Sequence, residues 1–280
     1  MGKMIKFRLK AIAFGSILLI GAFNTCQFVG LGQDLPSGLG GRGKPRSESG
    51  GPRFVQPPED IDRPPSAAPR TIRGSCTKNN PLNPINLTAL VPQNKIGQTV
   101  SDYPTFFFYL PEIEATEATE ATQATQATEA KLAEFILLDK SGNQIYQQTL
   151  TVTNLSGVIG VSIPANKNVP PLEAGKSYSW SFTVICNPQD RSADQLETGT
   201  VQRVELSADI LRQLEQADPR QKTFIYAENG IWQDALSNLA AARRAKPSDA
   251  VLQADWESLL DSVKLGKIAK EPIVQIQPQP

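Results

Sequence analysis

The middle of the chain alternates between apolar and polar residues, the pattern typical of β-strands. In residues 177–186, Tyr, Trp, Phe, Val and Cys on one face alternate with Ser and Thr on the other. Further strands are predicted at residues 105–110, 134–138, 144–152 and 159–163. The first of these is an aromatic run suited to a buried strand. The clean alternation ending at Cys186 predicts an antiparallel sheet with one solvated face.

The residues just before the clearest strand suggest how the sheets are arranged. Residues 172–178 read Leu-Glu-Ala-Gly-Lys-Ser-Tyr. They resemble the Leu-x-x-Gly-x-x-Tyr corner of immunoglobulin-like sandwiches, where the Tyr hydroxyl bonds to nearby backbone. In those domains a Cys follows the Tyr by two residues, whereas Cys186 follows Tyr178 by eight. We therefore expect an antiparallel, immunoglobulin-like β-sandwich without that family's disulfide topology.

The chain becomes helical after residue 206. Ser207 and Asp218 are good helix-capping residues, and Asp218 precedes a Pro, which is favoured at the first helical position. Gly230 is expected to end the second helix. Two later helices carry apolar stripes that contain Trp232 and Trp256. The predicted fold class is α+β, in which the sandwich is followed by a small C-terminal helical hairpin or bundle with both tryptophans in its core.

Part of this helical region resembles one tetratricopeptide repeat. The residues in that register are Tyr226, Gly230, Trp232, Ala235, Leu239, Ala242 and Pro247. The Trp and Leu-Gly of the repeat's first helix are absent, and Lys222 and Thr223 stand where Leu-Gly would be. Since about three copies are needed to build a solenoid with its concave groove, we predict a single hairpin packed on the sandwich.

The start of the chain has the pattern of a secretory signal, predicted over residues 1–26. Its positive residues are Lys3, Lys6, Arg8 and Lys10. The apolar run at residues 11–23 is short for a membrane span, which takes roughly 20 residues. We expect export to the periplasm, cell envelope or extracellular space, with membrane contact only through this segment if it is uncleaved. Residues 23–25 lack the small side chains of a lipid-attachment site before Cys26, and the sequence leaves cleavage, retention and lipidation open.

Composition shifts predict the remaining boundaries. Residues 27–74 are rich in Gly, Pro and Arg and cannot bury enough apolar surface to fold, so we expect a disordered linker. The sandwich should span residues 75–206, the helical segment 207–266 and a tail 267–280. Residues 112–130 repeat Ala-Thr-Glu with Gln variants, a period that fits neither helix nor strand, and are interpreted as an insert at a loop tip.

The charge balance and the lack of histidine exclude several classes of function. The chain has 28 basic and 28 acidic residues, with no basic stripe that would favour nucleic acid. It contains no histidine, which excludes His-dependent triads and His metal ligands. We expect no cofactor and no metal. In an exported protein Cys76 and Cys186 are most simply a disulfide; two buried free thiols are the alternative.

The best local candidate for binding is a loop after the clearest strand. Asp190 and Asp194 flank Arg191, and such oxygens could hold a sugar or Ca²⁺. The alternative is a salt-bridged turn that ties the sandwich to the helices. For acid/base hydrolysis, carboxylates could be drawn from Glu173, Asp190, Asp194 or Glu228, but nothing in their spacing selects a pair.

Residues 74–274 resemble a cyanobacterial family of exported proteins, domain of unknown function 928. The motifs that carry this resemblance are residues 87–92, 104–106, 186–194 and 226–236. The resemblance implies an envelope or extracellular location and no assigned activity. Together these observations predict an exported, non-enzymatic module that binds a protein or glycan partner. The alternatives are a carboxylate-based hydrolase of envelope polysaccharide and a purely structural envelope component.

Overall fold

The computed structural model of the chain describes residues 50–58, 86–112, 132–152, 156–166 and 168–274. Several predictions lie outside these ranges: the signal at residues 1–26, most of the linker, nearly all of the Ala-Thr-Glu insert, Cys26 and Cys76. Within the described ranges the chain forms nine β-strands and four α-helices, with short 3₁₀ turns at Arg191–Ala193 and Gly266–Ile268. The predicted α+β class is therefore confirmed.

The elements follow one another with strands first and helices second. The strands are β1 (Thr88–Ala89), β2 (Ile96–Thr99), β3 (Thr105–Leu110), β4 (Leu132–Leu138), β5 (Gln144–Thr151), β6 (Gly157–Ser162), β7 (Ser177–Ile185), β8 (Gln195–Arg203) and β9 (Ile273–Val274). The helices are α1 (Ala208–Gln216), α2 (Pro219–Glu228), α3 (Trp232–Ala245) and α4 (Ala250–Ser262). Each of the five predicted strands is present, with ends that differ by at most two residues.

The strands form two sheets that are mostly antiparallel. We call the sheet with the order β2-β8-β7-β4-β5 the outer sheet, and the sheet with the order β1-β3-β6-β9 the inner sheet. Two pairs are parallel, β2 with β8 and β6 with β9. These pairs depart from the expected all-antiparallel arrangement. A parallel neighbour requires a long crossover rather than a turn, and β9 returns to the inner sheet only after all four helices.

The aromatic run predicted as a buried strand is β3, and it is buried on both faces. Phe106 and Phe108 point into a core between the two sheets. Phe107 and Tyr109 point the other way, into a second core shared with the helices. Because successive side chains of a strand lie on opposite faces, a continuous apolar strand needs a partner layer on each side. The molecule thus has three layers: outer sheet, inner sheet and helices.

The core between the sheets is built from stacked aromatic rings. Phe108 of the inner sheet stacks on Phe182 of the outer sheet, with ring centroids 4.1 Å apart and planes 15° from parallel. Trp180 lies 5.6 Å from Phe108 and covers the backbone of Gly199. A Cβ atom at Gly199 would lie 2.3 Å from Cζ2 of Trp180, so this position accepts only glycine.

The expected solvated face of β7 is only partly solvated. Ser177 and Ser179 are 8% and 6% exposed, although their side chains point away from the aromatic core. β7 is a central strand, and Ser179 lies between Leu138 of β4 and Thr200 of β8. Small side chains on a central strand are covered by their longer cross-strand neighbours, so alternation predicted the facing direction correctly but overestimated the exposure.

The predicted helix caps are largely confirmed. The Ser207 hydroxyl accepts a hydrogen bond from the Ile210 N–H at 3.4 Å, and Asp218 forms a reciprocal capping box with Gln221. Gly230 follows the end of α2 with φ +76°, a conformation that glycine adopts without strain. The cap of α4 is Asp249, whose carboxylate accepts bonds from the Val251 and Leu252 N–H groups.

The helices pack on the inner sheet as a layer with its own core. Trp232 and Trp256 are both fully buried there, as predicted. Two segments that composition placed outside the folded part also join this layer. Residues 50–58 of the predicted linker pack against the helices through Phe54, and β9 of the predicted tail completes the inner sheet. Both segments contain too few apolar residues for composition to indicate that they belong to the folded part. In the described part of the chain, no helix is both long enough and apolar enough to cross a bilayer.

Candidate functional site: a cleft at the tyrosine corner

The corner before β7 is fixed by the bond that its sequence predicts. The Tyr178 hydroxyl accepts a hydrogen bond from the Glu173 backbone N–H at 2.9 Å. Gly175 at the turn has φ +77°, which a residue without a Cβ adopts freely. Leu172 is buried beneath the turn, and the Lys176 N–H bonds the Glu173 carbonyl at 3.1 Å. The Glu173 and Lys176 side chains therefore project from a rigid backbone.

The turn between β4 and β5 is fixed by one carboxylate. Oδ1 of Asp139 accepts bonds from the N–H groups of Ser141 and Asn143, both at 2.8 Å. Its Oδ2 accepts a bond from Nδ2 of Asn143 at 2.9 Å. These bonds lower the pKa of Asp139, and the bond from the Asn143 side chain has the largest effect. Asp139 is thus a fixed anion at neutral pH.

The sheet register places this turn beside the tyrosine corner. β4 and β7 are antiparallel neighbours in which Leu138, at the end of β4, pairs with Ser179 near the start of β7. The residues after Leu138 and those before Ser179 therefore meet at one end of the outer sheet. β8 adds Gln202, which pairs with Ser177 at the same end.

A cleft of about 440 Å³ lies between these segments. Its polar wall includes Asp139, Lys140, Glu173, Lys176 and Gln202. Its apolar part is formed by Ile145, Pro170 and Pro171. One ion pair lies in the wall, with Nζ of Lys176 2.7 Å from Oε2 of Glu173, and this hydrogen bond raises the pKa of Lys176. The cleft therefore combines fixed acceptors and donors with an apolar surface.

This arrangement suits binding a hydroxyl-rich ligand better than proton transfer. An acid catalyst needs a carboxyl whose pKa is raised so that it carries a proton at the working pH, and the pKa of Asp139 is shifted the other way. Glu173 is held in an exposed ion pair. Carboxylate and amide oxygens can accept bonds from sugar hydroxyls while the prolines contact the ring face.

A carboxyl with a raised pKa lies elsewhere, in the first turn of α3. Burial raises the pKa of Asp234 because it removes water from the charged form. Its Oδ2 accepts bonds from the Thr99 hydroxyl at 2.7 Å and from the Val100 N–H at 3.1 Å. Asp234 therefore ties the helical layer to the end of β2, and it does not line the cleft.

The predicted ligand loop at Asp190, Arg191 and Asp194 bonds chiefly to itself. Asp190 caps the 3₁₀ turn by accepting a bond from the Ser192 N–H at 3.0 Å. Arg191 Nε bonds Oδ2 of Asp194, whose Oδ1 accepts the Cys186 N–H at 3.0 Å. The loop has the geometry of a salt-bridged turn, but it joins β7 to β8 rather than the sandwich to the helices. Its role in ligand binding stays a prediction.

The four carboxylates considered for hydrolysis do not all lie at one site. Glu173 precedes β7 and Asp190 follows it, so the nine-residue strand, at about 3.3 Å per residue, separates them by roughly 30 Å. Asp194 lies beside Asp190, and Glu228 is at the end of α2. The described residues contain no group of three or more His, Cys, Asp or Glu side chains placed to hold a metal ion.

Of the two cysteines in the predicted disulfide, the structure describes only Cys186. Cys76 lies outside the described residues, so its pairing with Cys186 stays a prediction. Cys186 follows the last residue of β7, is 6% exposed and has its Sγ 3.0 Å from the Ala193 carbonyl oxygen. This position agrees with the structural role expected from its place on the buried face.

Most cleft residues were not identified from the sequence. Of the carboxylates that line the cleft, the sequence analysis considered Glu173 but not Asp139. The sequence carries one usable signal, the tyrosine corner that marks the start of β7. The turn after β4 lies beside this corner because β4 and β7 are antiparallel neighbours. That neighbour relation depends on the strand order, which local patterning does not provide.

The fold and the cleft define a three-layer α+β protein with a polar site at one end of its outer sheet. Residues 66–273 match the family model Domain of Unknown Function (DUF928). Since the match covers most of the 280 residues, the chain belongs to this family. A comparison with curated proteins found no significant match.

Proposed function

We propose that this protein is an exported, non-enzymatic module of the cell envelope or extracellular space that binds a glycan in the cleft at the tyrosine corner. The observation that carries the proposal is the cleft itself, where a fixed Asp139 carboxylate, charges of both signs and an apolar patch line the same space. Export is supported by the positive start and apolar run of residues 1–26. The resemblance to cyanobacterial exported proteins supports the same location.

Rigidity supports binding. The Tyr178 hydroxyl bond fixes the backbone under Glu173 and Lys176, and three bonds hold the carboxylate of Asp139. A ligand would meet donors and acceptors that are already oriented, so little ordering entropy is lost on binding. The lowered pKa of Asp139 supports a role as a hydrogen-bond acceptor rather than as an acid.

The finer features of the fold belong to the same proposal. The bonded corner favours an immunoglobulin-like sandwich for the two sheets, although two strand pairs are parallel. The register of Trp232 and its neighbours favours a single tetratricopeptide-like hairpin within the helical layer. Neither feature selects a ligand, because the same architecture serves many functions.

The test is a comparison of two double variants on arrayed glycans and purified envelope polysaccharides. Glu173→Gln/Lys176→Gln neutralises the cleft ion pair without changing net charge or the corner bond, which uses backbone at position 173. Asp209→Asn/Arg212→Gln makes the matched change in an exposed ion pair of α1 with the same spacing. We expect the wild type and the α1 variant to bind, and the cleft variant to bind at least tenfold more weakly.

If the cleft variant and the α1 variant bound the glycan equally well, the glycan would not bind in the cleft. Absence of glycan binding by the wild type, together with capture of one stoichiometric partner from crosslinked envelope, would favour a protein ligand instead.

The runner-up is a polysaccharide hydrolase, because Asp139 and Glu173 line the same cleft. It predicts release of reducing ends by the wild type and loss of that release in Asp139→Asn. A purely structural envelope component predicts neither glycan binding nor hydrolysis.

A further inference from the structure

Residues 50–58 lie against the helical layer, outside any strand or helix. Two backbone bonds hold the segment: the Phe54 N–H donates to Oγ of Ser262 at 3.1 Å, and the Val55 N–H donates to the Ala227 carbonyl at 3.0 Å. These partners lie at the end of α4 and the end of α2 respectively. The segment therefore bridges the two helices.

The contacts follow one another along the segment as a series of anchors. Gly51 is pressed against α4, where a Cβ would lie 2.5 Å from Cβ of Ser258. Pro52 is buried, and the Phe54 ring packs edge-on against Trp232 with centroids 5.1 Å apart. Pro57 lies over Gly230, whose added Cβ would be 3.1 Å from its Cδ.

A combination of backbone hydrogen bonds and packed side chains is also how proteins recognise extended peptides. Backbone bonds fix the direction of the peptide, and pockets select individual side chains. In the segment Pro52 is buried and Phe54 is partly buried against the helical core, while Arg53 and Val55 are exposed. The groove, which we define by Ala227, Gly230, Trp232, Ser258 and Ser262, thus reads Gly-Pro-x-Phe.

The groove lies within the part of the chain that matches the family, and the segment lies outside it. Every groove residue lies within residues 66–273, the part that matches the family, whereas the segment lies before it. Residues 59–85 join the segment to the first strands. Covalent attachment makes binding of the segment intramolecular, so a segment that binds only weakly would still fill the groove.

We propose that the groove is a binding site for extended peptides of the form Gly-Pro-x-Phe, and that residues 51–57 occupy it as a tethered, displaceable ligand. A free peptide of this chemistry competes with the tethered segment. Removing the Phe54 ring opens the groove to peptides supplied in trans.

The experiment uses the full chain and a fluorescent synthetic peptide of residues 49–58, with anisotropy as the readout. The Phe54→Ala chain is expected to bind the peptide at least tenfold more tightly than the wild type, whose groove is filled. Arg53→Ala changes an exposed side chain and should behave as the wild type. A peptide carrying Gly51→Val should not bind the Phe54→Ala chain, because its side chain would collide with Ser258.

A folded Phe54→Ala chain that binds the peptide no better than wild type and Arg53→Ala would overturn the proposal. Where Phe54→Ala fails to fold, hydrogen exchange on the wild type decides. Excess peptide should accelerate exchange of the Val55 N–H as the tethered segment leaves. An unchanged rate at every peptide concentration would show a fixed strap.

Discussion

The two cores of this molecule share strand β3 but are held together differently. Between the sheets, Phe108 stacks on Phe182 and the packed side chains are apolar. Under the helices, directional polar contacts cross the layers. Nε1 of Trp232 donates to the Leu90 carbonyl at 2.8 Å, and Asp234 accepts from Thr99 at 2.7 Å. Among the described residues Nε1 of Trp180, in the sheet core, has no such partner, and within the helical core Nε1 of Trp256 has none either.

The difference shows which interactions position a sheet and which position a helix. Strands are positioned within a sheet by their ladder of backbone bonds, so apolar packing is sufficient to join two sheets. A helix satisfies its backbone internally and can slide or rotate on a sheet. Its placement here is set by side chains, including the bidentate pair of Arg220 on α2 with Asp255 on α4.

The largest expected effect comes from the sheet core. Phe182→Ala should lower the free energy of unfolding by about 3–5 kcal/mol, because it leaves a cavity beside Phe108 in a fully buried site. Since β3 serves both cores, we expect sheets and helices to unfold in one denaturant transition. Ser181→Ala, on the opposite face of β7, should change stability by less than about 0.5 kcal/mol. Separate transitions would show that the two cores are independent.

A smaller and more local effect is expected in the helical core. Asp255→Ala removes the buried partner of Arg220, which is itself 31% exposed in its side chain, so we expect a loss of about 2 kcal/mol. Hydrogen exchange should accelerate in α2 and α4 while β4 and β7 stay protected. The control is Arg212→Ala, which breaks an exposed ion pair and should cost less than about 1 kcal/mol. Equal costs would mean that the buried pair does not fix the helices.

The smallest effect is a pH dependence at the contact between α3 and β2. The raised pKa of Asp234 means that the folded state binds this proton more tightly than the unfolded state. Stability from this group is present below its unfolded pKa and is lost as pH rises through the folded pKa. Asp234→Asn keeps an oxygen for Thr99 and should therefore gain stability relative to wild type as pH rises from 4 to 7.

The matched control for the pH experiment is Asp190→Asn. The pKa of Asp190 is lowered, chiefly by the bond with the Ser192 side chain, so its stabilisation is present above the unfolded pKa and is lost as pH falls. The difference from wild type should thus change with pH in the opposite direction. Unfolding curves at several pH values check both signs. A constant difference for Asp234→Asn would show that its ionisation does not oppose folding.

Much of the secondary structure could be predicted because its causes are local. Alternation identified β7 and the facing of Trp180, and the run at residues 105–110 identified β3. Asp218 with the following Pro marked the start of α2, and Gly230 its end. Each signal comes from a few neighbouring residues whose sterics and hydrogen bonds operate before the chain is folded.

The candidate site could be predicted only in part. The motif at residues 172–178 predicted a bond between the Tyr178 hydroxyl and nearby backbone, and the structure shows that the donor is the Glu173 N–H. It did not predict that Asp139 lies across the cleft, because that depends on β4 pairing with β7. The pairing joins residues more than forty positions apart, and no local pattern encodes it.

The sequence by itself determined five of the nine described strands, most helix caps and the corner, and it carries the export pattern, since these depend on short-range geometry and composition. Only the tertiary structure decided the three layers, the two parallel strand pairs and the packing of residues 50–58 against Trp232. The physical reason is that apolar burial is non-directional: many layer arrangements hide the same residues, and the choice among them is made by long-range packing and by polar contacts such as Asp234 with Thr99.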